Sequence, residues 1–370
     1  MSKKILQLGK LFPPFFGGIE SVSYELALGI KAAGHVSDVL CVNEVGKKDS
    51  FDDVRGVHVT RCASFFKFAS VYFSLSYILN WIKSRKKYDV IHVHCPNPLA
   101  NIALLFFPTR AHVVVHWHSD IVKQKKLKVL YQPLQNWLLK RANRIIATSE
   151  VYAKSSSDLQ QFLHKISIIP IGIDPDKLET TSDGVEAIRS RYQNKKIVFS
   201  LGRHVYYKGF KYLISAAKEL PEDYIILLGG TGNLSSELYQ QVEQYGLTEK
   251  VQFLGKISTE ELGDYYSACD VFCLPSIERS EAFGVVQLEA MSLGKPVVST
   301  SIPGSGVGWV NKDGISGRVV SPKNVTALRD AIVELCDNPI PQKTIQQHFT
   351  NNFSSSVMVN RTLTLYSQLL

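Results

Sequence analysis

A chain of 370 residues, 45% hydrophobic and 20% charged, has the composition of a soluble globular protein of two domains. It holds no run of about 18 uncharged apolar residues, which excludes a membrane-spanning helix, and its six cysteines are scattered without metal-type spacing. The net charge of +9 is lopsided: residues 1–180 carry 24 basic against 14 acidic side chains, residues 181–370 carry 18 against 19, and residues 61–144 carry 14 against 2. A basic first half predicts an anionic partner there, either nucleic acid or an anionic membrane surface.

In chain order, residues 4–8 predict a short strand. The loop Phe12-Pro13-Pro14-Phe15-Phe16-Gly17-Gly18 follows, and then a helix ending at Gly34. Strand, glycine loop and helix open a nucleotide crevice in α/β domains, although Gly17-Gly18 is neither a GxGxxG fingerprint nor a P-loop and a simple tight turn explains it too. Residues 36–42 form the next strand and residues 54–62 add another. The aromatic stretch 65–87 reads as a core helix with a basic last turn of Lys83, Arg85, Lys86 and Lys87. An interfacial segment that dips into lipid is the other reading. A second basic cluster, Lys123, Lys125, Lys126 and Lys128, favours an anionic membrane surface for these cations. Residues 89–94 and 111–115 are strands. The second runs into His116-Trp117-His118-Ser119-Asp120, where polar residues gather at a strand's C-terminal end. His116 and His118 point the same way, but no Cys or Glu at suitable spacing completes a zinc site, so a histidine meeting a sugar hydroxyl is the better reading. A helix over 126–142, a strand at 144–148, a further helix from Glu150 and a strand at 166–174 complete the first domain. Residues 175–194 read as linker and short helix.

A second alternation begins at Lys196. The strand to Gly202 leads into Arg203-His204-Val205-Tyr206-Tyr207-Lys208-Gly209, and the strand 224–228 leads into Gly229-Gly230-Thr231-Gly232. Strand 251–254 ends at Gly255-Lys256. Strand 271–274 precedes the stretch with the most chemistry in the chain, Pro275-Ser276-Ile277-Glu278-Arg279-Ser280-Glu281-Ala282-Phe283-Gly284. Residues 283–293 read as a helix, with Glu281 just before its N-terminus and Glu289 about two turns in, within roughly 80° of each other around the axis. On spacing alone, a first-turn Glu satisfying the helix dipole and a second Glu on a solvated face explain the pair equally well. The context favours a site. Arg203, Lys208, the glycine turns and the helix N-termini all follow strands, and Arg with Lys is the natural partner of a diphosphate. No P-loop lysine occurs, and the DxD-like Asp174-Pro175-Asp176 falls in the linker, so the cation pair is expected to neutralise a departing diphosphate without a metal.

Gly17-Gly18, His118-Ser119-Asp120, Arg203 through Lys208, and Glu281 with Glu289, in this order over nearly the whole chain, resemble the retaining glycosyltransferases of family 4. The resemblance implies an α/β architecture of GT-B type, with two doubly wound Rossmann-like domains facing a central cleft. The expected division is an acceptor-binding domain at 1–175, a donor-binding domain at 176–345, and a C-terminal helix over 346–370 crossing back to the first domain. It also implies roles. Gly17 and Gly18 lie near the donor diphosphate, His118 contacts the transferred sugar, and Arg203 and Lys208 hold the diphosphate. Glu281 with Ala282, Phe283 and Gly284 faces the sugar, and Glu289 bonds the nucleotide ribose. Gly230, Gly255 and Lys256 belong to the donor site, with the base held by backbone around the last two. A looser likeness at Trp117–Val122 and Pro303–Val307 points to bacterial surface-polysaccharide enzymes that transfer mannose or a related hexose. The implied partners are a GDP- or UDP-linked sugar, a lipid-linked oligosaccharide acceptor and the anionic inner-membrane surface, in a cytoplasmic protein with no cofactor and no metal. A GT-B epimerase or phosphorylase is the rival enzyme class. A basic nucleic-acid binder explains the charge but leaves Arg203, Lys208 and the carboxylates idle, so nucleic acid is not expected as a partner.

Overall fold

The computed structural model describes residues 2–15, 17–68, 71–121 and 125–370, with Lys125 and Lys126 described through their backbone alone. The chain falls into two units, Met1–Gly172 with Ser355–Leu370, and Ile173–Ser354.

The first unit opens with β1 (Lys4–Leu8), α1 (Gly18–Ala32), β2 (Val36–Val45), β3 (Ser50–Val54) and β4 (Val57–Ser64). A small hairpin follows, β5 (Phe66–Phe68) and β6 (Val71–Phe73), and then α2 (Leu75–Ser84), capped by Ser74, whose side chain accepts from the Tyr77 N–H. The unit continues through β7 (Val90–Cys95), α3 (Pro98–Phe106), β8 (His112–Trp117), α4 (Lys125–Arg141), β9 (Arg144–Ala147), α5 (Glu150–Ser155) and β10 (Ile166–Ile168). Its sheet has the order β10-β9-β8-β7-β1-β2-β4-β3, parallel throughout except for the antiparallel edge pair β3–β4. Parallel strands covered by helices on both faces must be apolar on both sides. Accordingly β7 is buried at every position and β8 at all but the first. Strand order reverses at β1, which lies between β2 and β7, and in open α/β sheets ligands bind beyond the strand C-termini at such a point.

The second unit runs α6 (Ser182–Arg191), β11 (Lys196–Leu201), α7 (Phe210–Ala217), β12 (Tyr224–Gly229), α8 (Ser235–Gln244), β13 (Val251–Gly255), α9 (Thr259–Ala268) and β14 (Val271–Leu274). It continues through α10 (Val285–Ser292), β15 (Val297–Thr300), α11 (Val307–Val310), β16 (Gly317–Val320), α12 (Val325–Asp337) and α13 (Gln342–Phe353). Its sheet, β13-β12-β11-β14-β15-β16, is wholly parallel, and the order reverses between β11 and β14. Finally α14 (Ser355–Ser367) belongs to the first unit, where it packs on α1 and buries Met358, Val359, Thr362, Leu365 and Tyr366.

Four segments differ from the sequence reading. Residues 346–370 are not one helix: α13 ends at Phe353, and only α14 joins the first unit. Helix α10 starts at Val285 rather than Phe283, because Gly284 takes a left-handed φ of 75° that an ongoing helix cannot hold. The last strand of the first unit stops at Ile168, two residues before Pro170. Stretch 65–87 is a hairpin plus a short helix rather than one core helix. Phe65, Phe66, Phe68, Phe73 and Leu75 stand exposed, and α2 buries only Tyr77 and Trp81.

Candidate functional site

In the second unit, the chemistry gathers where the strand order reverses. Arg203 and Lys208 follow β11, and Glu281 follows β14, its neighbour in the sheet. A single 3-10 turn, Tyr206–Lys208, turns the Lys208 side chain inward. Its Nζ lies 2.5 Å from Glu281 Oε2, with both side chains about nine-tenths buried. The Ser276 hydroxyl donates to the same oxygen at 3.2 Å. Lys208 therefore has a carboxylate partner within the protein, and the expected free cation pair is in fact an ion pair plus one loose cation. That cation is Arg203, exposed and, among the described residues, joined only to the Tyr207 hydroxyl, which accepts from its Nη2 at 3.2 Å.

Glu281 is not a helix residue. It sits in a loop tied from outside: Ser305 Oγ donates to the Glu281 carbonyl at 2.5 Å, and the Gly306 N–H donates to the Ala282 carbonyl at 2.8 Å. Phe283 is buried edge-on to Phe353. Gly284 holds a left-handed φ of 75°, which favours glycine, and an added Cβ would lie 2.6 Å from Leu274 Cδ2. The Gln287 N–H donates to the Gly284 carbonyl at 3.0 Å, and the Val285 and Val286 N–H groups before it stand at the helix start, an anion-binding feature. Glu289, one turn into α10, accepts from the Tyr266 hydroxyl at 2.6 Å, and burial pushes its carboxyl above the ordinary range. The helical neighbourhood predicted for Glu281 and Glu289 is thus replaced by two separately held carboxylates. Gly230 has a φ of 106°, a Cβ there would lie 2.0 Å from the Gly202 carbonyl oxygen, and its N–H donates to Gly255 O at 2.6 Å. Its identity is therefore demanded by the packing of three strand ends. Gly255 is left-handed with open space around it, and Lys256 beside it is exposed.

In the first unit, Gly17 caps α1 and Gly18 begins it, beyond β1. Gly17 is extended, a conformation open to any residue, and nothing lies within 4 Å of a Cβ built on Gly18. At Gly17 a Cβ would lie 2.5 Å from Glu20 Oε2, the movable end of a side chain, so the fold does not strictly require glycine at either position. Phe16, Val122 and Lys123 lie outside the described residues. His118 follows β8 and is buried. Its ring stacks on His116 at 4.2 Å, as the H-x-H spacing predicts, and its Nε2 lies 2.9 Å from His94 Nδ1. His94 Nε2 meets the Gln7 amide at 2.8 Å. A second line of buried groups runs from Tyr366 Oη to His92 Nδ1 at 2.6 Å, and from His92 Nε2 to His116 Nδ1 at 3.2 Å. Burial drives all four imidazoles towards the neutral form, His116 down to about 3. His92, His94 and His116 come close enough to share a metal ion. Their nitrogens are committed to one another and to Tyr366, Gln7 and His118, with only His116 Nε2 unpartnered, and one open nitrogen is not a ligand set. The sequence reading missed His92, His94, Gln7, Tyr266, Ser276 and the Ser305–Gly306 tie. The repeat of H-x-H in two consecutive strands was the available signal for the first two.

The group 1 glycosyl transferase family model matches residues 185–352 and the Glycosyltransferase Family 4 model matches residues 16–177. The O-antigen chain mannosyltransferase C of Escherichia coli is 33% identical, over 97% of this chain and 96% of its own length. D-rhamnosyltransferase WbpZ of Pseudomonas aeruginosa is 32% identical over 87% of this chain and 84% of its own. Among solved structures, Anabaena HepE in complex with UDP and glucose shares the fold with a TM-score of 0.75 at 20% identity, over 99% of this chain and 100% of that one.

Proposed function

The chain belongs to the family 4 glycosyltransferases of GT-B fold, and from that membership we propose that it moves a hexose, mannose favoured, from a GDP- or UDP-linked donor to a growing lipid-linked bacterial polysaccharide, with retention of anomeric configuration. The observation that carries the reading is the placement of Arg203, Lys208 and Glu281 around the switch point of the second sheet. The full-length likeness to an O-antigen mannosyltransferase and to a D-rhamnosyltransferase supports the surface-polysaccharide assignment and the choice of sugar.

The roles follow from the chemistry of each group. Arg203 offers the donor diphosphate an exposed guanidinium held only by the Tyr207 hydroxyl among the described residues, and the N-terminus of α10 offers it backbone N–H groups. Lys208 adds its remaining N–H donors while Glu281 holds it in place and faces the sugar. As the C–O bond to the diphosphate breaks, its electron pair goes to a phosphate oxygen whose charge these groups stabilise without a metal. The acceptor hydroxyl attacks the anomeric carbon from the same face and gives its proton to that phosphate. Glu289, with one oxygen engaged by Tyr266, keeps the other for a ribose hydroxyl. Gly17 and Gly18 give the diphosphate room, Gly255 and Lys256 border the base, and His118 meets a sugar hydroxyl.

The exposed hairpin aromatics Phe65, Phe66, Phe68 and Phe73, in a unit of strong positive charge, support peripheral binding to the inner membrane, where a lipid-linked acceptor resides. No helix of the described residues is long and apolar enough to cross a membrane. The test is transfer from labelled GDP-mannose, in EDTA, to a lipid-linked oligosaccharide in anionic vesicles, with the product anomer read by NMR. An α-linked product without metal is the expected result. A β-linked product, or donor consumption without acceptor, would overturn the reading.

A further inference from the structure

Buried beneath His118 is a hydrogen-bonded line that ends in a group of fixed polarity, and that end decides which proton His118 carries. Gln7 lies fully buried in the middle of β1. Its amide satisfies its surroundings in one orientation. The oxygen accepts the Ala27 backbone N–H at 3.0 Å, and the nitrogen faces His94 Nε2 at 2.8 Å and Ser23 Oγ at 3.1 Å. A backbone N–H only donates, so the atom opposite Ala27 must be the oxygen. The amide nitrogen then donates to His94 Nε2, which holds a lone pair.

The rest follows by exclusion. A neutral imidazole carries one proton, so His94 carries its own on Nδ1 and donates it to His118 Nε2, 2.9 Å away. His118 Nε2 is in turn an acceptor, and the proton of His118 stands on Nδ1. Among the described residues no protein group hydrogen-bonds that Nδ1. The rings of His92 and His116 pack beside the pair, His92 tilted against His94 and His116 stacked on both, and belong to their own line from Tyr366. Burial keeps the whole set neutral, so no second proton blurs the order.

We propose that Gln7 and His94 are positioning residues that fix His118 as an Nδ1–H donor, aimed at an oxygen of the transferred sugar. The role at the sugar rests on the function proposed above. The tautomer itself is a property of the protein alone.

The experiment reads the protonated nitrogen of His118 by long-range 15N–1H correlation on histidine-labelled protein without substrate, assigned by loss of the signal in His118→Asn. Wild type should show His118 protonated on Nδ1 and His94 on Nδ1. Gln7→Glu replaces the donating amide by an acceptor, so His94 should turn over to Nε2–H and His118 to Nε2–H. The kcat/KM for the donor should fall about tenfold with the loss of one hydrogen bond, and Gln7→Asp, too short to reach, should not reproduce the inverted pattern. His118 protonated on Nε2 in wild type would overturn the proposal even if Gln7→Glu fails to fold, and so would a Gln7→Glu protein with His118 unchanged. Inversion with kcat/KM unaltered would uphold the relay and retire His118 from the sugar.

Discussion

Lys208 and Glu281 neutralise each other at 2.5 Å in a nearly dry setting, and that changes what each substitution does. Removing one member of a buried pair leaves the other charged and unpaired, at a cost of about 3–5 kcal/mol. Glu281→Ala is therefore expected to lower stability by about 3 kcal/mol as well as activity, whereas Glu281→Gln, which loses the charge but still accepts from Ser276 and Lys208, should recover only the hydrogen-bond part of that loss, about 1 kcal/mol. Denaturant melts of both decide it, and equal stability for the two would remove the pair from the account. Arg203 is the contrasting case: exposed and loosely held, it contributes little to the fold. Arg203→Ala should leave the melt unchanged and weaken nucleoside diphosphate binding about 10–100-fold, the worth of a hydrogen bond to a charged group. Residue identity singles out Arg203, Lys208, Glu281 and His118 as candidates in the sequence, because charged and imidazole side chains stand there directly after strands. Their pairings were not legible. The Lys208–Glu281 contact joins loops after two different strands, and the Gln7–His94–His118 line joins three strands that only topology brings together.

At the scale of elements, the glycines divide into those the fold demands and those it does not. Gly284 holds a φ of 75° with Leu274 close by, so Gly284→Ala should destabilise the second unit by about 1–2 kcal/mol through backbone strain alone. Gly18 lies in the first turn of α1 with open space where a Cβ would go. Gly18→Ala should raise stability slightly, by up to about 1 kcal/mol, since alanine favours helix, while transfer falls. A calorimetric melt beside a transfer assay checks both, and a Gly18→Ala enzyme with full activity would deny that glycine a ligand. Most elements were readable from periodicity and strand-ending glycines. Thr259–Ala268 falls where its pattern places it, since Ser258 and Glu261 form a capping box. The aromatic stretch misled because apolar content argues for burial, yet a two-stranded hairpin has too little area to bury its own phenylalanines. The break at Ser354 was illegible because α13 and α14 belong to different units, a matter of tertiary packing rather than local propensity.

At the scale of the molecule, each unit is a doubly wound sheet, as the alternation of strand and helix predicts, while the strand order, and with it the point of reversal, is set by topology that the alternation does not reveal. The four buried histidines give the whole protein a pH signature. Their folded pKa values are depressed, so the unfolded chain binds protons below pH 6.5 that the native state refuses. Stability is accordingly full above that pH and lost as pH falls through it, at about 1.4 kcal/mol per pH unit for each fully differing histidine. Melts from pH 7.5 to 5.5 should show a steep decline that His116→Phe makes shallower. A melt flat across this window would contradict the neutral histidine core.

The central claim is a metal-independent site for a nucleoside diphosphate in the second unit. The most direct test is a thermal-shift series with GDP, UDP and ADP in EDTA and again in Mg²⁺, on the wild type and Arg203→Ala. One diphosphate should raise the melting temperature equally with and without metal, by an amount that grows with its concentration, and Arg203→Ala should require about 10–100-fold more nucleotide for the same shift. A shift that appears only with Mg²⁺, or one whose concentration dependence is unchanged in Arg203→Ala, would contradict the account.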